Sequence, residues 1–286
     1  MPAEGSGEPA PHGHVRTGRN LPAALGVGAG LGGLAVLTLF TVKATFLAYV
    51  AVFVGVALWE LSRALDVRGI QLPLLPVAVG GAGALALAYW RGERALLACV
   101  TITVIAILAW RLPGGAKGYL RDVTAGVFAL AYLPLMACFV GLMLAAPDGP
   151  RRTIVFVILT VCSDVGGYFA GILLGHHPMA PAISPNKTWE GFGGSALACL
   201  AGGAITLPTL LHGAAWQGIL VGAAALAAAT LGDLVESMIK RDLEIKDMGT
   251  LLPGHGGVLD RIDSYLAAAP VVWLLLFVFI PAAHHH

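Results

Sequence analysis

Charge is scarce in this sequence: Lys, Arg, Asp and Glu make up 12% of its 286 residues, against 57% hydrophobic ones. With a mean hydropathy of +0.82, an ordinary soluble globular domain is excluded. Cysteine is scarce too. Cys99, Cys138, Cys162 and Cys199 form no CxxC pair, lie within apolar runs, and read as small buried hydrophobes. A cleavable leader is not apparent either. The polar, Gly/Pro-rich stretch 1–20 reads as a disordered cytoplasmic tail, and the apolar run after it is too long and lacks an A-x-A site. There is no convincing internal repeat, which withholds support from an inverted-repeat transporter.

What the sequence does have is long apolar runs, at about 21–42, 44–59, 72–90, 95–110, 122–146, 152–174, 192–212, 216–235 and 264–281. A bilayer core takes about 20 apolar residues per helix. An outer-membrane barrel would show short alternating segments instead. The fold class is therefore all-α, a polytopic integral membrane protein of about nine transmembrane helices. The second and fourth runs are short for a full crossing. With nine spans, the N-terminal tail and the even-numbered loops share one side, which holds twelve of the 17 Lys and Arg residues. That bias places this side in the cytoplasm, the membrane being the inner one. The net charge of +1 by itself identifies no partner, and none of the motifs points to nucleic acid.

The chain divides near residue 150. Residues 21–150 are rich in Ala, Leu, Val and Gly, with small-xxx-small spacing as in "GVGAGLGG" (26–33), and read as a packing scaffold that also offers lipid-entry and dimer surfaces. Residues 151–283 carry nearly all the unusual polar groups and read as the catalytic part. The terminal "HHH" (284–286) is set aside as a tail or tag remnant.

Three clusters stand out. In "CSDVGGYFAGILLG" (162–175), Asp164, Gly167, Gly171 and Gly175 share a helical face, which sets a carboxylate on a close-packing surface. An ionisable group at that depth is a functional candidate; the alternative is an Asp hydrogen-bonded to a neighbouring helix. In "SPNKTWEGFGG" (184–194), Lys187 beside a helix start suits phosphate, with Asn186, Thr188 and Glu190 at hand. The alternative is an interfacial loop with a snorkelling Lys. The P-loop pattern does not apply. The third cluster, "GDLVESMIKRDLEIKDMGTLLPGHGGVLDRIDS" (232–264), holds nine charged residues between Ser237 and Asp263. Asp233, Glu236 and Lys240 share a helical face, and Asp260 and Asp263 are spaced to face together. Hard cations such as Mg²⁺ take carboxylate oxygens and substrate phosphates, so Asp233, Asp260 and Asp263 form a candidate metal set. His255 and the main chain of the glycine turn are placed to reach a polyphosphate. The alternative is a solvated loop with surface ion pairs.

"SMIKRDLEIKDMGTLLPGHGGVLDRID" closely resembles the signature of the CDP-diacylglycerol synthases (phosphatidate cytidylyltransferases), S-x-x-K-R-x4-K-D-x-G-x-x-x-P-x-H-G-G-x-x-D-R-x-D, without departure at its fixed positions. "SDVGGYFAG" and "ISPNKTWEGFGG" are similar to that family's upstream motifs. The resemblance covers about 160–265. It implies transfer of a cytidylyl group from CTP to phosphatidate, dependent on Mg²⁺ with or without a second cation, and a homodimer would suit it. It also implies roles: Lys240, Arg241, His255, Asp260, Arg261 and Asp263 in catalysis; Ser184, Asn186, Lys187, Lys246, Gly256 and Gly257 on substrate phosphates; Asp233, Asp260 and Asp263 on metal; Asp164, Glu190 and Glu236 in support. A phosphate monoester dianion needs no strong base, so His255 need not be one.

Two rivals remain at this stage: a CTP-dependent lipid or polyprenol kinase, and a cation-coupled transporter using Asp164 and Asp233. The DG-x2-AR arrangement of the CDP-alcohol phosphotransferases is absent.

Overall fold

The computed structural model describes residues 21–181, 183–249, 251 and 256–280; the side chains of 21–25, 27, 29, 185 and 186 lie outside that description. The tail 1–20, His255 and the terminal histidines therefore fall outside it as well. All nine apolar runs lie on helices, because a chain in lipid must satisfy its main-chain polar groups within itself. The helices are α1 (Leu21–Thr41), α2 (Lys43–Val67), α3 (Leu74–Arg91), α4 (Glu93–Arg111), α5 (Tyr119–Leu130), α6 (Met136–Ala145), α7 (Gly149–Leu174), α8 (Trp189–Leu211), α9 (Ala215–Asp242) and α10 (Leu259–Phe279). A π turn, Ala131–Leu135, joins α5 and α6 into one span. Among the described residues, eight spans are long and apolar enough to cross a bilayer, and α1 is apolar from Gly30 to Thr41.

The two runs that are short in sequence belong to helices long and apolar enough to cross. The apolar stretch of α2 stops at Glu60, but the helix runs on to Val67, about 37 Å in all against a core of about 30 Å. The continuation is helical because Glu60, Leu61, Ser62 and Ala64 are buried by neighbouring elements rather than presented to lipid. Likewise α4 spans 19 residues. Pro134 lies inside the π turn; its missing N–H and its ring displace the regular i→i−4 pattern there.

One departure from an all-helical plan is a small antiparallel hairpin before α8. Its strands β1 (Pro178–Ala180) and β2 (Ser184–Thr188) pair Pro178 with Thr188 and Ala180 with Ser184. The cluster that reads as a loop at 184–188 is thus a strand that runs straight into a helix. Thr188 caps that helix, its hydroxyl accepting from Gly191 N at 3.1 Å.

Both apolar cores draw on both halves of the chain. One gathers Leu39, Phe46, Leu85, Met143, Leu159 and Leu276. The other joins Leu58, Leu61, Leu130 and Leu133 to Leu259 and Leu266, and it takes in Leu243, Met248 and Val258 from the α9–α10 connection. Those three buried side chains pin a charged connection against the bundle. The last span is also held at its far end. Arg152, 5% exposed, donates to Leu276 O at 3.3 Å and Ile280 O at 2.7 Å while pairing with Asp148 at 2.7 Å. A cation at a helix C-terminus matches both its free carbonyls and its dipole.

Candidate active site

The site forms where α7, β2, α8, α9 and α10 meet. The close-packing face that the spacing of Gly167, Gly171 and Gly175 predicts lies against Thr188 and the start of α8, and Gly166 adds to it. A β-carbon on Gly166 would stand 2.7 Å from Gly194 O, and one on Gly167 2.6 Å from Ser195 Oγ. Ser195 donates to Ser163 O at 2.5 Å, fixing the pair. Asp164, one turn away on α7, opens into a cavity of about 1330 Å³.

That cavity has two ends of different chemistry. Leu31, Val36, Phe46 and Phe53 of α1 and α2 line the apolar end. Asp164, Lys187, Asp233, Glu236, Lys240, Asp260, Arg261 and Asp263 line the polar end. Its volume exceeds the 300–1,000 Å³ usual for one drug-sized ligand.

At the polar end three carboxylates converge. Asp233, Glu236 and Asp263 each offer an oxygen within 4.8 Å of the others. Gly232 makes this possible, since a β-carbon there would stand 2.6 Å from Asp263 O; any side chain would push α10 away from α9. Glu236 and Asp263 are 1% and 6% exposed. Ser264 N donates to Asp263 Oδ1 at 2.7 Å, and Ser237 Oγ to Asp233 Oδ1 at 3.4 Å. Glu236 Oε1 is buried with no hydrogen-bond partner among the described residues. A cluster of hard oxygen donors with an orphaned buried acceptor fits a hard divalent cation.

Two lysines border the cluster. Lys187 Nζ lies 2.5 Å from Asp233 Oδ2. Lys240 pairs with Glu236 one turn back on its helix and with Asp260 Oδ1 at 2.8 Å. Asp260 Oδ2 accepts from Met248 N at 3.0 Å and Gly257 N at 2.9 Å. Asp260 is thus engaged by Lys240 and the main chain, and the third member of the acidic group is Glu236, which the sequence places in support. Asp260 and Asp263 both face the cavity but hold different partners.

The remaining candidates are distributed as follows. Ser184 lines the cavity from β2. Arg241 is exposed and donates to Ile183 O at 3.3 Å, tying α9 to the hairpin. Lys246 and Arg261 are exposed, and Arg261 lines the cavity. Gly256 adopts φ +82°, a left-handed turn suited to glycine. Glu190 is turned to the hairpin, accepting from His176 N and His177 N at 3.2 Å each and pairing with His177 Nδ1 at 2.5 Å. The side chains of Asn186 and His255 lie outside the described residues.

Two residues that the sequence reading passed over belong to this region. Glu60 of α2 accepts from Val258 N at 3.0 Å and Leu259 N at 2.9 Å. Tyr132, in the π turn, has a buried hydroxyl without a partner among the described residues. Glu60 stands just past the second apolar run and Tyr132 inside the fifth, where a lone Glu in "ALWELSR" and a Tyr two residues before a proline are the signals.

Fold and site together define a polytopic membrane enzyme whose polar centre closes one end of an apolar cavity. The chain belongs to the cytidylyltransferase family, whose model matches residues 23–279. It is 42% identical over 278 residues to a phosphatidate cytidylyltransferase of Mycobacterium leprae, covering 91% of this chain and 89% of that one. A Mycobacterium bovis protein of the same name is 39% identical over 289 residues, 96% of this chain and 94% of the relative. A shorter match, 46% over 129 residues, joins 44% of this chain to 47% of a Brucella suis phosphatidate cytidylyltransferase. Membership of this family favours cytidylyl transfer over the kinase and transporter readings.

Proposed function

We infer that this protein transfers the cytidylyl group of CTP to phosphatidate, giving CDP-diacylglycerol and pyrophosphate for phospholipid synthesis. The observation that carries the reading is the cavity itself: apolar helices at one end, and at the other the carboxylates of Asp233, Glu236 and Asp263 bordered by Lys187 and Lys240. A lipid whose acyl chains lie along α1 and α2 presents its phosphate to that cluster, where CTP arrives from water. A phosphate oxygen of phosphatidate attacks the α-phosphorus of CTP. The new O–P bond forms as the bond from that phosphorus to the bridging oxygen breaks, and pyrophosphate carries away the electron pair. Such transfers depend on positioning and charge neutralisation more than on covalent participation by the protein.

Asp233, Glu236 and Asp263 would hold Mg²⁺, which when bound offsets phosphate charge. Lys187 and Lys240 keep their ammonium groups at the same cluster and meet the phosphates of the two substrates. Arg241, Lys246 and Arg261, with His255, Asn186 and Ser184, supply further phosphate contacts around the mouth, and Gly256 and Gly257 leave room for close main-chain approach. Asp260 orients Lys240, Asp164 faces the lipid phosphate, and Glu190 steadies the hairpin that carries Lys187. The excess of Lys and Arg in the even-numbered loops supports a cytoplasmic-facing site in the inner membrane. A homodimer is the assembly that would suit this family, and cross-linking in native membranes tests it.

The test is product formation by detergent-purified protein given CTP, phosphatidate and Mg²⁺. CDP-diacylglycerol and pyrophosphate should appear in equal amounts and only with all three present. Folded protein that makes neither, across several acyl chains, would overturn the reading.

A further inference from the structure

We propose that Glu60, on a helix of the N-terminal half, is a positioning residue for the site: it holds the first turn of α10, with Gly257 before it, so that Asp260 and Asp263 meet α9. The start of α10 is not capped from its own sequence. Val258 stands at the N-cap and supplies no side-chain hydrogen bond, although the first N–H groups of a helix have no intrahelical acceptors. Glu60 supplies them from 198 residues away. Its Oε1 accepts from Val258 N at 3.0 Å and its Oε2 from Leu259 N at 2.9 Å. A carboxylate at a helix N-terminus also meets the positive end of the helix dipole.

The same carboxylate is approached by Gly249 and Gly257, which precede α10. A β-carbon on Gly249 would stand 2.6 Å from the Glu60 carboxyl carbon; one on Gly257 would stand 2.7 Å from Glu60 Oε2 and 2.7 Å from Gly249 N. Both glycines are therefore places where the chain closes directly onto Glu60. From this point the geometry runs onward without a break. Gly257 N and Met248 N bind Asp260 Oδ2, Asp260 Oδ1 binds Lys240, and Lys240 binds Glu236. Asp263 follows one turn along the helix whose first turn Glu60 holds. Glu60 is 1% exposed and directed at main-chain N–H groups, so it stands behind the site rather than in it. Aspartate, one methylene shorter, cannot span both donors from the same Cα position. Glutamine keeps the volume but turns an amide NH₂ toward one N–H.

This inference rests on the reaction inferred above, and its test is chosen to separate the two. Full-length wild type, Glu60→Gln and Glu60→Ala are compared in detergent by hydrogen exchange and by steady-state kinetics. Outer partners of ligating groups are typically worth about 10–100-fold in activity or metal affinity. We expect kcat to fall about tenfold in Glu60→Gln and about a hundredfold in Glu60→Ala, with both KM values within about threefold. Exchange should rise at residues 256–263 while α2 and the rest of α10 keep their protection. Glu60→Gln retains the packing volume and keeps the proposal testable should Glu60→Ala fail to fold. Wild-type kcat in Glu60→Gln overturns it, as does lost activity without faster exchange at 256–263. Should the wild type itself turn over no CTP, the reaction fails but the positioning is still read: Mg²⁺ alone should slow exchange at 256–263 in wild type. Loss of that protection in Glu60→Gln supports the proposal, and its retention overturns it.

Discussion

Asp122 on α5 and Asp263 on α10 are both carboxylates buried in membrane-spanning helices, at 1% and 6% exposure, yet they are provided for in opposite ways. Asp122 meets Arg111 at 2.6 Å, Arg121 at 3.5 Å and Gln71 N at 3.0 Å. Its charge is answered entirely by groups around it, and it ties the α2–α3 connection to α4 and α5. Asp263 accepts from Ser264 N and otherwise faces two further acids, Asp233 and Glu236. A buried charge that is paired is part of the architecture; three gathered carboxylates with one orphaned oxygen require something brought from outside. The two halves of the chain differ in the same way. The first half pairs its buried carboxylates, Asp122 with two arginines and Glu60 with main-chain N–H groups of the second half, whereas the second gathers three of them at a cavity.

Replacing each aspartate separates these roles. Asp263→Asn should lower CDP-diacylglycerol formation by about 10³-fold, near 4 kcal/mol of transition-state stabilisation, while thermal unfolding in detergent stays close to wild type. Radiolabelled CTP incorporated into lipid measures it, and chelation of divalent cations should reduce the wild type as far. Rates within tenfold of wild type would put Asp263 on the structural side of the comparison. Asp122→Asn should do the reverse. Breaking one side of a buried pair costs about 3–5 kcal/mol, read as an earlier unfolding transition, with turnover per folded molecule unchanged. Loss of specific activity there would mean that the scaffold couples to chemistry at Asp122.

Lys187 sharpens the open side of the comparison. Its ammonium occupies Asp233 at 2.5 Å, so it competes with any cation for that oxygen while also being available to phosphate. Lys187→Met should raise the KM for CTP about tenfold, the worth of one charge-assisted contact. It should also lower the Mg²⁺ concentration that gives half-maximal rate, because a competitor and a like charge are both removed. An unchanged KM with the same Mg²⁺ requirement would make the pair a fixed structural link.

The sequence is most informative where one force dominates. Lipid leaves the main chain no partner but itself, so apolar runs place the spans, although hydropathy misses the buried continuation of α2 past Glu60. The glycine spacing of α7 marks a close-packing face, because close approach needs small residues on one face, though not α8 as the partner. The i, i+3, i+7 pattern gathers Asp233, Glu236 and Lys240. Spacing alone could not say that Lys240 and two main-chain N–H groups would claim Asp260 and leave Glu236 with Asp233 and Asp263; that depends on where Met248 and Gly257 come to lie. Nor could it give Glu60 its partners, which lie almost the whole chain away, or find a hairpin of three and five residues.

Tyr132 crosses the boundary between the two halves and carries the smallest predicted effect. Its ring stacks on Phe128, with centroids 5.3 Å apart, and packs against the core that takes in Leu259 and Leu266 of α10. Its hydroxyl is buried without a partner among the described residues, in a π turn, a distortion that recurs at functional positions. An unpaired buried hydroxyl costs about 1–3 kcal/mol. Tyr132→Phe should therefore stabilise the ligand-free protein by about 1 kcal/mol, seen as a later unfolding transition. If the hydroxyl instead gains its partner when substrates fill the cavity, the same change removes one neutral hydrogen bond from the loaded site and slows turnover about threefold to tenfold. Stabilisation without slowing would leave Tyr132 as a strained element of the scaffold. Stabilisation together with slowing would make it a second point, after Glu60, at which the N-terminal helices enter the chemistry.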